Sequence, residues 1–194
     1  MSSAFTTLWT KDRCKILSSN HLEGTPISVL FGGPHTSEPG FRRAGVIPGD
    51  FIYPVRVDKG ILYLIARVRV KEIISIEDYI KVFPEEFIGC EKSPWPSLVF
   101  DSYIKLHPEK RFLAPTCTEE AVLVEESTPM RLDVAVPAEM LERLRFRSQK
   151  RERGLKHIKD GLLKSVISLQ GIYRLSAASA RDFEKLLIDE GIIS

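Results

Sequence analysis

The sequence predicts an α+β fold, a small mixed β-sheet or pseudo-barrel followed by a C-terminal helical extension. Two β-rich runs, Phe51 to Val57 and Ile61 to Lys71, are joined by Asp58-Lys59-Gly60, a length and composition suited to a hairpin. After Pro137 the apolar period changes: Met140, Leu141 and Leu144, then Leu155, Ile158, Leu162, Leu163, Val166 and Ile167, recur at spacings of three and four, as on a helix. That switch divides the chain into a β-rich domain, 1–137, and a basic helical extension, 138–194. With 194 residues, 43% hydrophobic and 28% charged, the chain suits one domain with an appendage or two small domains.

Thr10 can cap a short helix reaching about Leu17, and the apolar, partly β-branched run Ile27 to Phe31 reads as a strand. From Gly32 to Asp50, 19 residues hold five of the 12 glycines and three of the 12 prolines, a long loop and a candidate wall of a site. In the second run of the hairpin, Leu62, Leu64, Ala66, Val68 and Val70 form one apolar face, and Ile61, Tyr63, Ile65, Arg67, Arg69 and Lys71 the other. Pairing Val57 with Ile61 sets Tyr53 opposite Ile65 and Phe51 opposite Arg67. Pro54 cannot donate to a ladder, which predicts an edge strand or a bulge there.

Ser75 with Asp78 three residues on resembles a capping box, predicting a helix to about Val82. Prolines at 84, 94, 96, 108 and 115 predict an irregular stretch with a strand at Leu98 to Ile104. Ala121 to Val124 and Leu132 to Val136 read as strands, Gly171 as a stop, and Ser176 as the cap of a last helix carrying Phe183, Leu186, Leu187 and Ile188.

The formal charge of +2 is unevenly spread. Between Glu142 and Lys164 lie nine Lys or Arg and three acids, so that segment carries +6, while the other 19 bases and 23 acids leave −4 on the rest. A localised positive field of this kind attracts polyanions or acidic protein surfaces. Other classes lose support. Cys14, Cys90 and Cys117 are odd in number and far apart, and the four histidines have no ligand-spaced partner, so neither a disulfide framework nor a metal site is expected. Gly32-Gly33 lacks the Lys-Ser/Thr of a phosphate-binding loop. No cofactor is expected. No apolar run approaches the roughly 20 residues of a membrane span and no secretory signal opens the chain, which predicts a cytoplasmic location without membrane contact.

Pro48-Gly49-Asp50 is a tight turn feeding the first hairpin strand, with Arg42 and Arg43 before it. A basic loop, a Gly-Asp turn, a strand, and a strand with an Ala/Val-rich face together resemble the PUA-like superfamily, specifically its ASCH and EVE branches, over about residues 27–75. ASCH domains typically carry Gly-x-Lys-x-x-Glu-x-Arg upstream. Gly40-Phe41-Arg42-Arg43 matches only its basic tail, so the amidohydrolase chemistry of some relatives is not carried over. The resemblance implies a concave sheet face holding a base or nucleotide.

The residues point the same way: Phe51 and Tyr53 with Tyr63 offer stacking surfaces, Trp9 and Trp95 are further stacking candidates, and Arg42, Arg43, Arg67 and Arg69 offer phosphate contacts. Arg147, Lys150, Arg151 and Arg153 supply the electrostatic footprint. The expected function is a non-catalytic nucleic-acid-binding module, RNA in preference to DNA. The alternative is a protein-interaction module, such as an immunity or antitoxin protein that blocks an acidic partner. A nuclease or deamidase using Asp50 or Glu119 is a third possibility.

Overall fold

A computed structural model describes residues 2–33, 40–112, 118–148 and 151–194. Lys150, His35 and Cys117, with Pro34, Pro39 and Pro115, lie outside these residues. The fold is α+β. Among the described residues an eight-stranded mixed sheet is built from β1 (Ala4–Leu8), β2 (Val29–Gly32), β3 (Phe51–Asp58), β4 (Ile61–Leu64), β5 (Val68–Ser75), β6 (Glu120–Ser127), β7 (Val134–Ala135) and, near the C-terminus, β12 (Ile172–Arg174). Its main path runs β12-β1-β3-β5-β6-β2, with β4 and β7 attached beside β3. β1 is parallel to β3 and the other pairs are antiparallel. No helix of the described residues is long and apolar enough to cross a membrane.

Local signals were accurate where a cap defined them. Thr10 accepts from the Arg13 amide and starts α1 (Lys11–Ser19), and Ser75 accepts from the Asp78 amide at 3.0 Å and starts α2 (Ile76–Val82). Leu98 to Ile104 is a helix rather than the expected strand. It lies within α3 (Pro96–Leu106), where Pro96 takes the first turn and Phe100 and Tyr103, three apart, are buried against Phe87, Tyr79 and Phe31.

The hairpin forms with a shifted register. Asp58, not Val57, pairs with Ile61, so Lys59-Gly60 is a two-residue turn. The second strand also breaks: β3 pairs with β4 through Val55 and with β5 only from Ile52, leaving Tyr53 and Pro54 between the two ladders. Pro54 thus sits in an interior strand, at the gap where no amide donor is required. The break also changes the face. Leu62 and Leu64 pack on one side of the sheet with Tyr53, Val55 and Phe183, whereas Ile65, Ala66, Val68 and Val70 pack on the other with Phe5, Trp9 and Ile52. The single even-numbered apolar face expected from the sequence is therefore divided between two cores.

Past residue 137 a short helix, α4 (Ala138–Arg143), is followed by two hairpins instead of the expected long basic helix. These are β8 (Arg145–Arg147) with β9 (Glu152–Gly154), and β10 (Ile158–Lys159) with β11 (Leu162–Leu163). Asp160 and Gly161 turn the second hairpin with φ of 53° and 70°, the left-handed pair that Asp-Gly favours and a helix cannot include. Ser176 then accepts from the Ser179 amide and starts α5 (Ala177–Asp189), whose Phe183, Leu186 and Leu187 are buried beside Tyr53, Leu62 and Leu64. Each such side chain contributes about 1.5–3 kcal/mol. With β12 bonded to β1, residues 138–194 share the sheet and core of residues 1–137.

Candidate nucleic-acid interface

The sheet face singled out by the sequence is occupied by its own chain. Tyr53 is 1% exposed, its ring packed edge-on against Phe183 at 5.5 Å, and burial pushes its phenol pKa up. It cannot stack on a ligand. Phe51 is half-buried beneath Arg67, whose guanidinium lies 5.0 Å from the ring centroid. Arg67 donates to Glu126 at 2.8 Å and lies 3.8 Å from Glu184 of α5, while Arg69 meets Glu125 at 3.2 Å. Two adjacent strands thus place acids opposite bases, and the charge meant for phosphate is spent inside the fold. Trp9 is buried, and Trp95, the residue before α3, is exposed.

Asp50 is also structural. Only 2% exposed, it accepts from the Ser3 amide at 2.7 Å and the Ile47 amide at 3.0 Å, closing the Pro48-Gly49 turn and tying β1 to β3. Glu120 does similar work for the glycine-rich segment: buried on β6, it accepts from the backbone amides of Phe41 and Arg42. Burial holds its carboxyl above the usual carboxylate range, against the lowering effect of those bonds. The guanidinium of Arg42 donates to the Ile73 carbonyl, and both Arg42 and Arg43 are exposed. Burial pushes the Cys14 thiol up to about 11, which makes it a poor nucleophile.

The structure instead gathers positive charge at the β12 edge of the sheet. There the β8–β9 hairpin, β12 and the Ala44-Gly45 turn wall a cleft of about 710 Å³. Its apolar base is Phe5, Phe146 and Ile172, all buried, and around it stand the exposed Arg147, Arg153 and Arg174 with half-buried Tyr173. Among the described residues none of these three arginines is in an ion pair, and no acid lines the cleft.

Two of the three cationic side chains have an evident support. The Arg153 guanidinium lies over Tyr173 at 4.3 Å and 5.8 Å from the Phe146 centroid. Tyr173 is fixed in turn, its hydroxyl donating to the Gln170 carbonyl and its ring lying against Gly171. A Cβ at Gly171, where φ is +119°, would come within 3.2 Å of that ring. Arg174 donates to the Ser3 hydroxyl at 2.5 Å.

Of the residues expected from sequence, Arg147 and Arg153 line this cleft, and the glycine-rich segment reaches it through Ala44 and Gly45, next in sequence to Arg43. Arg151 sits at the hairpin tip, where its amide donates to the Ser148 hydroxyl at 3.2 Å. Phe51, Tyr53, Arg67 and Arg69 do not line it. Sequence reasoning missed Phe5, Phe146, Tyr173 and Arg174. The alternation Ile172-Tyr173-Arg174 between Gly171 and the Ser176 cap was the available strand signal.

No family model matches the chain, and no curated protein matches it. Among solved structures it is similar to the crystal structure of ASCH from Zymomonas mobilis, at 12% sequence identity and a TM-score of 0.40, with 95% of each chain covered. The likeness says nothing of what this chain binds.

Proposed function

We propose that this protein is a non-catalytic nucleic-acid-binding module of the cytoplasm, taking RNA in preference to DNA, with the β12-edge cleft as its contact surface. The observation that carries this reading is three arginines lining a cleft with aromatic walls, with no acid in the lining and no ion pair to any of the three among the described residues. Arginine forks match phosphate oxygens bidentately, and an aromatic beside them suits an unstacked base. Shape supports RNA over DNA. A short hairpin and a compact cleft present no helix or long ribbon for a major groove, whereas single-stranded RNA offers splayed bases and 2′-hydroxyls.

The same forks suit carboxylates, which keeps an acidic protein partner as the second reading. Purification with and without nuclease separates the two. A 260/280 absorbance ratio that is high without nuclease and falls after it supports the module. A ratio unmoved by nuclease, with an acidic protein co-purifying through Arg147, Arg153 and Arg174, would replace it with the interaction reading.

A further inference from the structure

The cleft has the dimensions of a compartment for one small ligand, since about 710 Å³ falls within the roughly 300–1,000 Å³ of such sites. Its charge is concentrated as well. Arg147, Arg153 and Arg174 all line it, and among the described residues no acid does. A phosphodiester within a strand brings one negative charge, whereas a phosphate monoester brings about −1.5 to −2 at neutral pH and three acceptor oxygens. Three arginines lining one compact space match the second better than the first.

Arg153 is also set before any ligand arrives. Its guanidinium rests on Tyr173 at 4.3 Å in the wall of the cleft, so binding there costs little further side-chain freedom. Gly45, also in the lining, presents bare backbone, and a Cβ there would meet nothing within 4 Å, which leaves space for a sugar or base. We infer that the cleft takes a nucleoside phosphate monoester, either a free mononucleotide or the phosphorylated end of a single strand. The choice of a nucleoside over other phosphate esters rests on the nucleic-acid reading above.

The test is competition and direct titration on the whole chain, using 5′-uridine monophosphate, uridine, inorganic phosphate, and a single-stranded RNA 10-mer with and without a terminal phosphate. The monophosphate should bind and displace the phosphorylated 10-mer, uridine should not, and the terminal phosphate should tighten the 10-mer by about 10-fold or more. Arg147→Ala with Arg174→Ala should remove that advantage while circular dichroism and the thermal midpoint stay near those of the parent. Arg153→Lys tests the fork without removing the charge, and should keep less than half of the advantage.

If both 10-mers bind equally and the monophosphate does not compete, the monoester inference falls and the nucleic-acid reading stands. If the monophosphate binds and neither 10-mer does, the ligand is the free nucleotide and the nucleic-acid reading falls. Inorganic phosphate competing as well as the monophosphate would overturn the nucleoside part of the inference.

Discussion

On β3, Phe51 is covered at 5.0 Å by Arg67, the residue before β5; at the sheet's edge, Arg153 covers Tyr173 at 4.3 Å. Read as residue types the two are the same device, an arginine on an aromatic ring with a second arginine two residues on or nearby. Their surroundings differ. β6 and α5 put Glu126 and Glu184 beside Arg67, and Glu125 beside Arg69, whereas Arg147, Arg153 and Arg174 have no carboxylate in ion-pair contact among the described residues. An arginine–aromatic pair therefore marks a ligand surface only where the fold leaves its charge unspent. Where neighbouring elements form ion pairs with the arginine, as Glu126 and Glu184 do with Arg67, the same pair is a structural clamp.

The largest contrast should come from the aromatic rings. Tyr53→Ala empties a fully buried site against Phe183 and should cost about 3–5 kcal/mol in urea unfolding. Tyr173→Ala, in a half-buried ring at the cleft, should cost well under half as much and weaken RNA binding instead. Equal losses of stability would erase the distinction between the two regions.

The arginines sharpen the comparison at smaller scale. Arg67→Ala leaves Glu126 and Glu184 facing each other's charge and uncovers Phe51, so it should cost about 1 kcal/mol of stability without altering affinity. Arg174→Ala should stay within about 0.5 kcal/mol of the parent in stability and lose about 10-fold or more in affinity. A binding loss at Arg67 with none at Arg174 would return the site to the sheet face.

The smallest effect concerns the loop that reaches the cleft. Burial raises the Glu120 carboxyl pKa, so the folded state holds that proton more tightly than the unfolded chain does. This contribution favours folding below the unfolded carboxyl pKa and is lost as pH rises through the higher folded value. Relative to Glu120→Gln, the parent should therefore gain stability as pH falls from 7 to about 4.5, read as the difference between their urea midpoints. A difference that does not change with pH would show that Glu120 is not a desolvated carboxylate.

How much was legible depended on range. The Thr10, Ser75 and Ser176 caps are written in a few adjacent residues and formed as expected, and the β3–β4 hairpin formed where expected with its register shifted by one. The face change at Ile65 to Arg67 was not legible, because it is set by which strand β3 meets on each side of Pro54. Nor were the acids opposite Arg67 and Arg69, which come from a strand almost 60 positions later. In the basic stretch two signals conflicted. The three-and-four spacing of Leu155 to Ile167 suggested a helix, while Asp160-Gly161 signalled a hairpin, and the left-handed turn prevailed. Arg147 and Arg153 were found through their charge, which does not depend on secondary structure. Arg174 was missed because it stands outside the charged run and joins it only through the pairing of β12 with β1 and the approach of β8.

Salt dependence tests the division of labour between the two regions most directly. In the log-affinity against log-salt plot for a single-stranded RNA, replacing Arg147, Arg153 and Arg174 together by Ala should make the slope shallower by about 2, near 0.7 for each lost phosphate contact. Replacing Arg67 and Arg69 together should leave the slope unchanged. A shallower slope for the sheet-face pair, with none for the cleft trio, would contradict the assignment of the site to the β12 edge.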